Sequence, residues 1–373
     1  MSLLVLAAGG AGYVVYDRLE GNIHTDPAVR RQLEKYESQR PPAGARGTQN
    51  VLLIGSDDRS GANAGYGREK GRRSDTTILL HLPADHRSAT AVSIPRDLVV
   101  HRPECTGAGG RPAAARSTQF NAAFQVGGAA CTIRTVEAMT GIRVDHYVSV
   151  DFNGFKRMVD AVDGVEVCLP HAVHDKEAHL ALPAGRHLLD GEQALGYVRV
   201  RKGLGDGSDT QRMGRQQRFL AALVKKVRSN GVLLNPTKLY PVMDAATRAL
   251  TTDEGLASLR GLYGLVRSTR DITPGKIRFL TVPRRPYRLD PNRDELAEPD
   301  AKELFRRLRK DLPVSVQPSS SSSPGTPEAS GAATGGSASP GASAPSSTPD
   351  ASLTSPDGAP TFHGTTADRG VCS

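Results

Sequence analysis

"GRRSDTTILLHL" (residues 71–82) places two arginines and an aspartate directly ahead of the apolar run TILLHL. A strand with one wet face alternates polar and apolar residues with period two, so an unbroken run belongs to a strand covered on both sides. The runs VLLIG (51–55), ATAVSI (89–94), HYVSV (146–150), VEVCL (165–169) and IRFLTV (277–282) repeat that reading. Helical patterns lie between them: CTIRTVEAMTGI (131–142), FNGFKRMVDAVDG (152–164), DGEQALGYV (190–198) and the longest, residues 209–231. In the last, Met213, Leu220, Leu223, Val224 and Val227 share a face, Asp209 suits the N-cap and Gly231 the stop. PTKLYPVMDAATRAL, DEGLASLRGLYGLVRS and DAKELFRRLRKDL add helices toward the end. Strands alternating with helices predict an α/β fold, a three-layer α-β-α sandwich with a mixed central sheet.

In such a sandwich, ligands gather where strands end and loops begin, and the charges fall there. GSDDR follows the first strand with Asp57, Asp58 and Arg59; GRRSDT precedes the second with Arg72, Arg73 and Asp75; SIPRD closes the third with Arg96 and Asp97. YVRVR supplies Arg199 and Arg201, on one face if extended, and RMGRQ supplies Arg212 and Gln216, four apart on one helix face. Converging arginines repel one another unless a polyanion or carboxylates neutralise them, and guanidinium forks match phosphate oxygens. Asp57 and Asp75 beside them suit a hard divalent cation, Mg2+ or Mn2+, that fills its shell with phosphate oxygens and water. Taken singly, each has a plainer reading. An arginine at a helix start is ordinarily a solvated charge, Arg199 and Arg201 have Asp206 and Asp209 within pairing distance along the chain, and Asp57 and Asp58 suit a turn. Placement after separate strands is what joins them.

The chain carries +9 overall. Residues 313–373 hold Glu328, Asp350, Asp357 and Asp368 against Arg369, which leaves the first 312 residues strongly basic. That field favours phosphates, anionic lipid or nucleic acid alike. With aromatics at 5% and no Trp, base stacking is poorly supplied. Walker-type GxxxxGK[ST], G-x-S-x-G and HExxH are absent from the sequence. The domain expectations are a membrane anchor over residues 1–22, probed by an uncharged run from Met1 to Tyr16, a juxtamembrane linker over 23–48, a catalytic domain over 49–312 and a disordered Ser/Pro/Gly-rich tail over 313–373. The uncharged run is short of the roughly 20 residues a span needs, so it is read as a truncated or misassigned start of a single anchor. A signal-peptide core and a buried helix stay open. Without a C-x-x-C pair, the four cysteines do not resemble a zinc site. Cys105 is expected to bridge Cys131 across a Gly- and Ala-rich loop. Cys168 and Cys372 either form a second bridge or stay reduced.

From Asn50 to Asn230, NVLLIGSDDR, RRSDTTILLHL, AVSIPRD, QFNAAFQVGG, TVEAMTGIRVDHYVSVDFNGFKRMVDAVDGVEV, LDGEQALGYVRVR and DTQRMGRQQRF resemble, motif by motif and in order, the LytR-CpsA-Psr family of cell-wall ligases. The resemblance implies a single-pass membrane protein whose domain lies on the extracytoplasmic side. It also implies transfer of a glycopolymer, such as teichoic acid, from a polyprenyl diphosphate carrier to peptidoglycan, with Mg2+ and without a nucleic-acid partner. It assigns Asp57 and Asp75 to the metal, and Arg72, Arg96, Arg199, Arg201, Arg212 and Gln216 to the diphosphate. Arg96, Arg199, Asp75 and Asp97 are the expected catalytic residues, with Asp75 or Asp97 taking the hydroxyl proton. Phe152, Phe155, Met158 and Val159 could line an apolar tunnel, but packing the core is the expected role of each. The alternative is a non-catalytic module that holds lipid-linked precursors.

Overall fold

The computed structural model describes residues 13–57, 74–200, 209–229, 236–317 and 360–368. Its central sheet is built from β1 (His24–Thr25), β2 (Gln49–Ser56), β3 (Ser74–Leu82), β4 (Ala89–Ile94), β5 (His146–Val150), β6 (Leu250–Thr252), β7 (Ile277–Thr281), β8 (Ser315–Gln317) and β9 (Thr361–Thr366). Their spatial order is β1-β6-β5-β2-β3-β4-β7-β9-β8. The sheet is mixed, as expected: β5 runs parallel to β2 and β4 to β7, whereas β3 lies antiparallel between β2 and β4. The unbroken apolar runs are explained by burial on both sides. Leu52, Ile54, Leu79 and Val92 belong to one core, while Val51, Ile78 and Leu82 belong to clusters on the other face.

Helices α1 (13–21), α2 (Pro27–Lys35), α3 (Asn121–Thr140), α4 (Phe152–Ala161), α5 (Gly191–Arg199), α6 (Asp209–Ser229), α7 (Pro236–Ala249), α8 (Leu259–Thr269) and α9 (Asp300–Arg309) complete the layers. Val29 of α2, Ile133 of α3 and Leu304 of α9 pack into the first core. On the opposite face, Val159 of α4, Ala194 of α5 and Phe219 of α6 share a second core, and Ala221 of α6 joins a third. Three helix starts show capping by aspartate. Asp26 accepts from the Ala28 amide at 2.9 Å ahead of Pro27, Asp151 accepts from the Gly154 amide at 2.6 Å, and Asp190 forms a capping box with Gln193. No helix among the described residues is long and apolar enough to cross a membrane.

Several expectations change. VEVCL is a strand, but it pairs with Gly185–Leu189 in a separate two-stranded ribbon. Its alternating Val165, Val167 and Leu169 face the α4–α5–α6 core while Glu166 is exposed, so its apolar content reflects one buried face. Helix α3 begins ten residues before the expected start, and Gly127 and Gly128 interrupt its helical backbone. A Cβ at Gly127 would lie 2.7 Å from the Thr106 carbonyl and 2.9 Å from Cβ of Cys131, so only glycine admits the hairpin strand that the disulfide ties here. Cys105 and Cys131 are bridged, with Cα atoms 5.5 Å apart. Cys168 is disulfide-bonded too, and Cys372 lies outside the described residues. The pattern expected to be helical from Asp253 becomes helical only at Leu259, after the Ser258 cap. The tail is not wholly outside the domain: β8 and β9 extend the sheet, Phe362 enters the first core and Ala367 the third. A six-residue strand reading TFHGTT, with a single Phe among Thr, His and Gly, offered no apolar run to find.

Candidate functional site

Strand register assembles the site. In the antiparallel β3–β4 pair Thr77 stands opposite Ile94, and continuing that register sets residue 75 opposite residue 96. Arg96 Nη1 accordingly donates to Asp75 Oδ1 at 3.2 Å, while its Nε donates to Asp97 Oδ2 at 3.1 Å. Gln119 Nε2 holds the other Asp97 oxygen at 3.0 Å, and the Asn121 amide donates to the Arg96 carbonyl at 3.0 Å. Arg96 is therefore fixed from both sides, with its side chain 18% exposed. Next door, β2 ends at Ser56, with Asp57 just after it and both buried, and β5 ends beside it at Val150, where Asp151 caps α4.

The other half comes from helices. Arg199 is the last residue of α5, one residue past the expected helical stretch 190–198, so YVRVR is helical up to this point rather than extended; DGEQALGYVR continues the capped helix before Val200 turns away. The Arg199 guanidinium carbon sits 4.8 Å from the centre of the Phe152 ring, a cation–π contact that holds a long side chain over an apolar floor. Helix α6 pins the chain around it. Arg215, buried, donates to the Val200 carbonyl, and Gln216 Nε2 donates to the Val198 carbonyl at 3.2 Å. Arg212, one turn earlier on α6, is also buried.

One cavity of about 650 Å3 unites these groups: Asp57, Asp75, Arg96, Arg199, Arg212 and Gln216 all line it. Of the remaining candidates, Arg72 and Arg201 lie outside the described residues, and Asp97 faces Arg96 and Gln119 without lining the cavity. Beyond the charges the wall is apolar, formed by residues such as Leu53, Val148, Phe155, Met158, Leu220 and Leu223. Phe152 lines it too, whereas Val159 is fully buried in the core between helices. Three acids in the wall, Asp151, Asp175 and Glu177, were not among the sequence candidates. Asp151 follows a strand as Asp57 does and was findable by the same rule. Asp175 and Glu177 sit on a short hairpin, Val173–Asp175 with Leu180–Leu182, that carries no periodic signal.

Asp57 and Asp75 offer carboxylate oxygens only, the hard donors that Mg2+ or Mn2+ takes. No group of three or more His, Cys, Asp or Glu forms a metal cage among the described residues. A two-carboxylate set therefore fits a cation whose remaining ligands are phosphate oxygens and water, the arrangement Mg2+ prefers.

The sandwich thus holds one cavity lined both by arginines and acids and by apolar side chains. The LytR_cpsA_psr family model matches residues 14–310, and the chain belongs to that family. It is 34% identical over 310 residues to the cell wall biosynthesis protein LcpA of Corynebacterium glutamicum, spanning 76% of this chain and 58% of LcpA. It is 30% identical over 282 residues to the polyisoprenyl-teichoic acid–peptidoglycan teichoic acid transferase TagT of Bacillus subtilis, covering 73% of this chain and 81% of TagT. A solved structure of TagT bound to LI-WTA superposes with a TM-score of 0.52 at 27% identity, covering 72% of this chain and 91% of that one.

Proposed function

We propose that this protein is a membrane-anchored extracytoplasmic phosphotransferase that moves a glycopolymer from a polyprenyl diphosphate carrier to peptidoglycan. The observation that carries this reading is a cavity with two kinds of lining: Asp57, Asp75 and Arg96 where strands end and Arg212 near the start of α6, then Leu53 and Val148 further along the strands and Leu220 and Leu223 further along α6. A polyprenyl diphosphate has an anionic head and an apolar chain to match. The names of the relatives support the substrate class, since TagT is a polyisoprenyl-teichoic acid–peptidoglycan teichoic acid transferase.

In the reaction, the oxygen of an acceptor sugar hydroxyl bonds to the phosphorus next to the glycan. The bond from that phosphorus to the bridging oxygen breaks, and polyprenyl phosphate leaves with the electron pair. The product is a sugar phosphodiester. Such transfers have a loose transition state, so positioning and charge stabilisation carry most of the catalysis. Arg96, Arg199 and Arg212 hold the diphosphate oxygens, with Gln216 beside them and Arg72 and Arg201 completing the set from the sequence pattern. Asp57 and Asp75 would hold Mg2+, which when bound neutralises charge on the phosphates. Asp75 also braces Arg96, as does Asp97, whose contacts suit a positioning residue better than a proton acceptor. With a loose transition state the hydroxyl proton departs late and passes to solvent or to the leaving phosphate.

The test is transfer of a labelled lipid diphosphate donor to peptidoglycan fragments. Chelation should abolish product, and Arg96→Ala or Arg199→Ala should each cost on the order of 10^2 to 10^3 in rate, as loss of one preorganised donor does. Donor binding without any product in the unaltered protein would favour a non-catalytic carrier-binding module.

A further inference from the structure

The outer surface of α8 is unlike that of the other helices. Its inward residues Leu262 and Leu265 pack beside Leu53, Val150 and Leu250, which also line the cavity. Its outward residues are Arg260, Tyr263, Val266 and Arg267, with Tyr263 62% and Val266 51% exposed, and the helix contains no acid. Helix α1 comes in on the same side of the domain: Asn22, just after it, donates to Asp244 of α7 at 3.2 Å, and α7 runs into Leu250, beside which α8 packs. Helix α1 exposes Tyr13, Val14, Val15 and Tyr16, the end of the uncharged run that starts at Met1. Soluble surfaces do not ordinarily gather exposed Tyr and Val between arginines. Amphipathic rings and guanidinium groups together are what the bilayer–water interface selects.

We infer that the α8 face, with the exposed side of α1, docks on the surface of a bilayer containing anionic lipid and sets the apolar wall of the cavity against it. The inference rests on the lipid-carrier reading above and deepens it. The occupant is a lipid surface because cationic residues flank the aromatic and aliphatic ones with no acid on α8, and because α1 adds the exposed Tyr13, Val14, Val15 and Tyr16. A carrier chain held in the bilayer then reaches the cavity past a wall that α8 itself supports, without crossing water.

The absence of Trp makes the test direct. In the full-length chain, Tyr263→Trp places a single indole on the docking face. Lys302→Trp places one on α9, whose Leu304 and Phe305 pack against the opposite side of the sheet. Vesicles of 70:30 phosphatidylcholine and phosphatidylglycerol should blue-shift emission from position 263 and make it quenchable by lipids brominated near the glycerol backbone, with position 302 unchanged. Adding Arg260→Gln and Arg267→Gln should weaken partitioning about 30-fold, at the usual worth of a basic residue near an anionic surface. The same pair should leave transfer from a short, water-soluble diphosphate donor unaltered while slowing it from a vesicle-embedded donor. Unchanged emission at 263, equal responses at both positions, or a blue shift that follows protein concentration without lipid would each overturn the inference; the last would mean a second copy covers the face. If neither donor supports transfer, the catalytic reading fails while the vesicle spectra still report on docking.

Discussion

Replacing Asp97 separates two roles that its sequence position leaves equally open. Its two oxygens are engaged by Arg96 Nε at 3.1 Å and Gln119 Nε2 at 3.0 Å, and it does not line the cavity. In Asp97→Ala, Arg96 loses this partner while its Asp75 contact remains, and it is drawn toward the acid proposed for the metal. Loss of one charge-assisted hydrogen bond between side chains 18% and 24% exposed is worth about 1.5–3 kcal/mol. If all of that appears as misplacement of the guanidinium in the transition state, kcat/KM falls about 10- to 150-fold, short of the loss in Arg96→Ala. The assay is steady-state transfer from a short-chain diphosphate donor across pH 5–9, with single and double variants. Positioning through Arg96 requires that Asp97→Ala add little to Arg96→Ala, and that the acidic limb of the pH profile persist without Asp97. A double variant that multiplies both losses, or an acidic limb that vanishes in Asp97→Ala, would refute the positioning role and restore Asp97 as a proton acceptor.

Met158→Trp, which enlarges a residue of the apolar wall, should raise KM for a long-chain donor tenfold or more and leave a short-chain donor nearly unaffected, read from the two saturation curves. Phe219 is fully buried, with ring centroids 5.5 Å from Phe155 and 6.3 Å from Tyr197, so Phe219→Ala should lower stability by about 3–5 kcal/mol in urea unfolding. Reducing the bridge between Cys105 and Cys131, 26 residues apart, should cost about 3.5 kcal/mol by the loop-entropy relation, seen as a lower urea midpoint in Cys105→Ser/Cys131→Ser. The hydrogen bond that His146 Nδ1 donates to Asp253 raises His146 above its ordinary 6.5, so this pair stabilises the fold fully below that value and loses the contribution as pH rises through the raised one. In His146→Gln, the midpoint of thermal unfolding should lose that decline between neutral and alkaline pH.

What the sequence made legible follows from how each signal arises. Strands buried on both faces announce themselves without context, which is why β2 to β5 and β7 were readable from apolar runs alone. Charges placed after those strands were readable by the same logic, and Asp57, Asp75 and Arg96 meet because neighbouring strands must end side by side. Helical contributions were harder. Arg212 and Gln216 followed from their spacing of four, but the use of Arg215 three residues on, buried to hold the Val200 carbonyl, depends on how α6 crosses the end of α5. No local pattern encodes that crossing. The strand at 361–366 failed for a related reason: its partners at 277–281 and 315–317 supply the hydrogen bonds and the core that its own sequence lacks.

The same distinction explains the division of labour within the site. Arg96 is braced by Asp75 on the next strand and by Asp97 one residue on, so its position is a property of the sheet. Arg199 is held at a helix end by a ring contact and by the pinning of Val198 and Val200 from α6. Moving α6 by a fraction of a turn would therefore shift Arg199 and Arg212 together and leave Arg96 and the two acids in place. Because α6 also supplies Leu220 and Leu223 to the apolar wall, a chain entering the cavity presses on the helix that positions two of the three arginines. Donors with longer lipid chains should then gain in kcat as well as in KM, and this gain should be lost in Gln216→Ala, where α6 releases the Val198 carbonyl. Equal kcat for short and long donors would show that head and tail are bound independently.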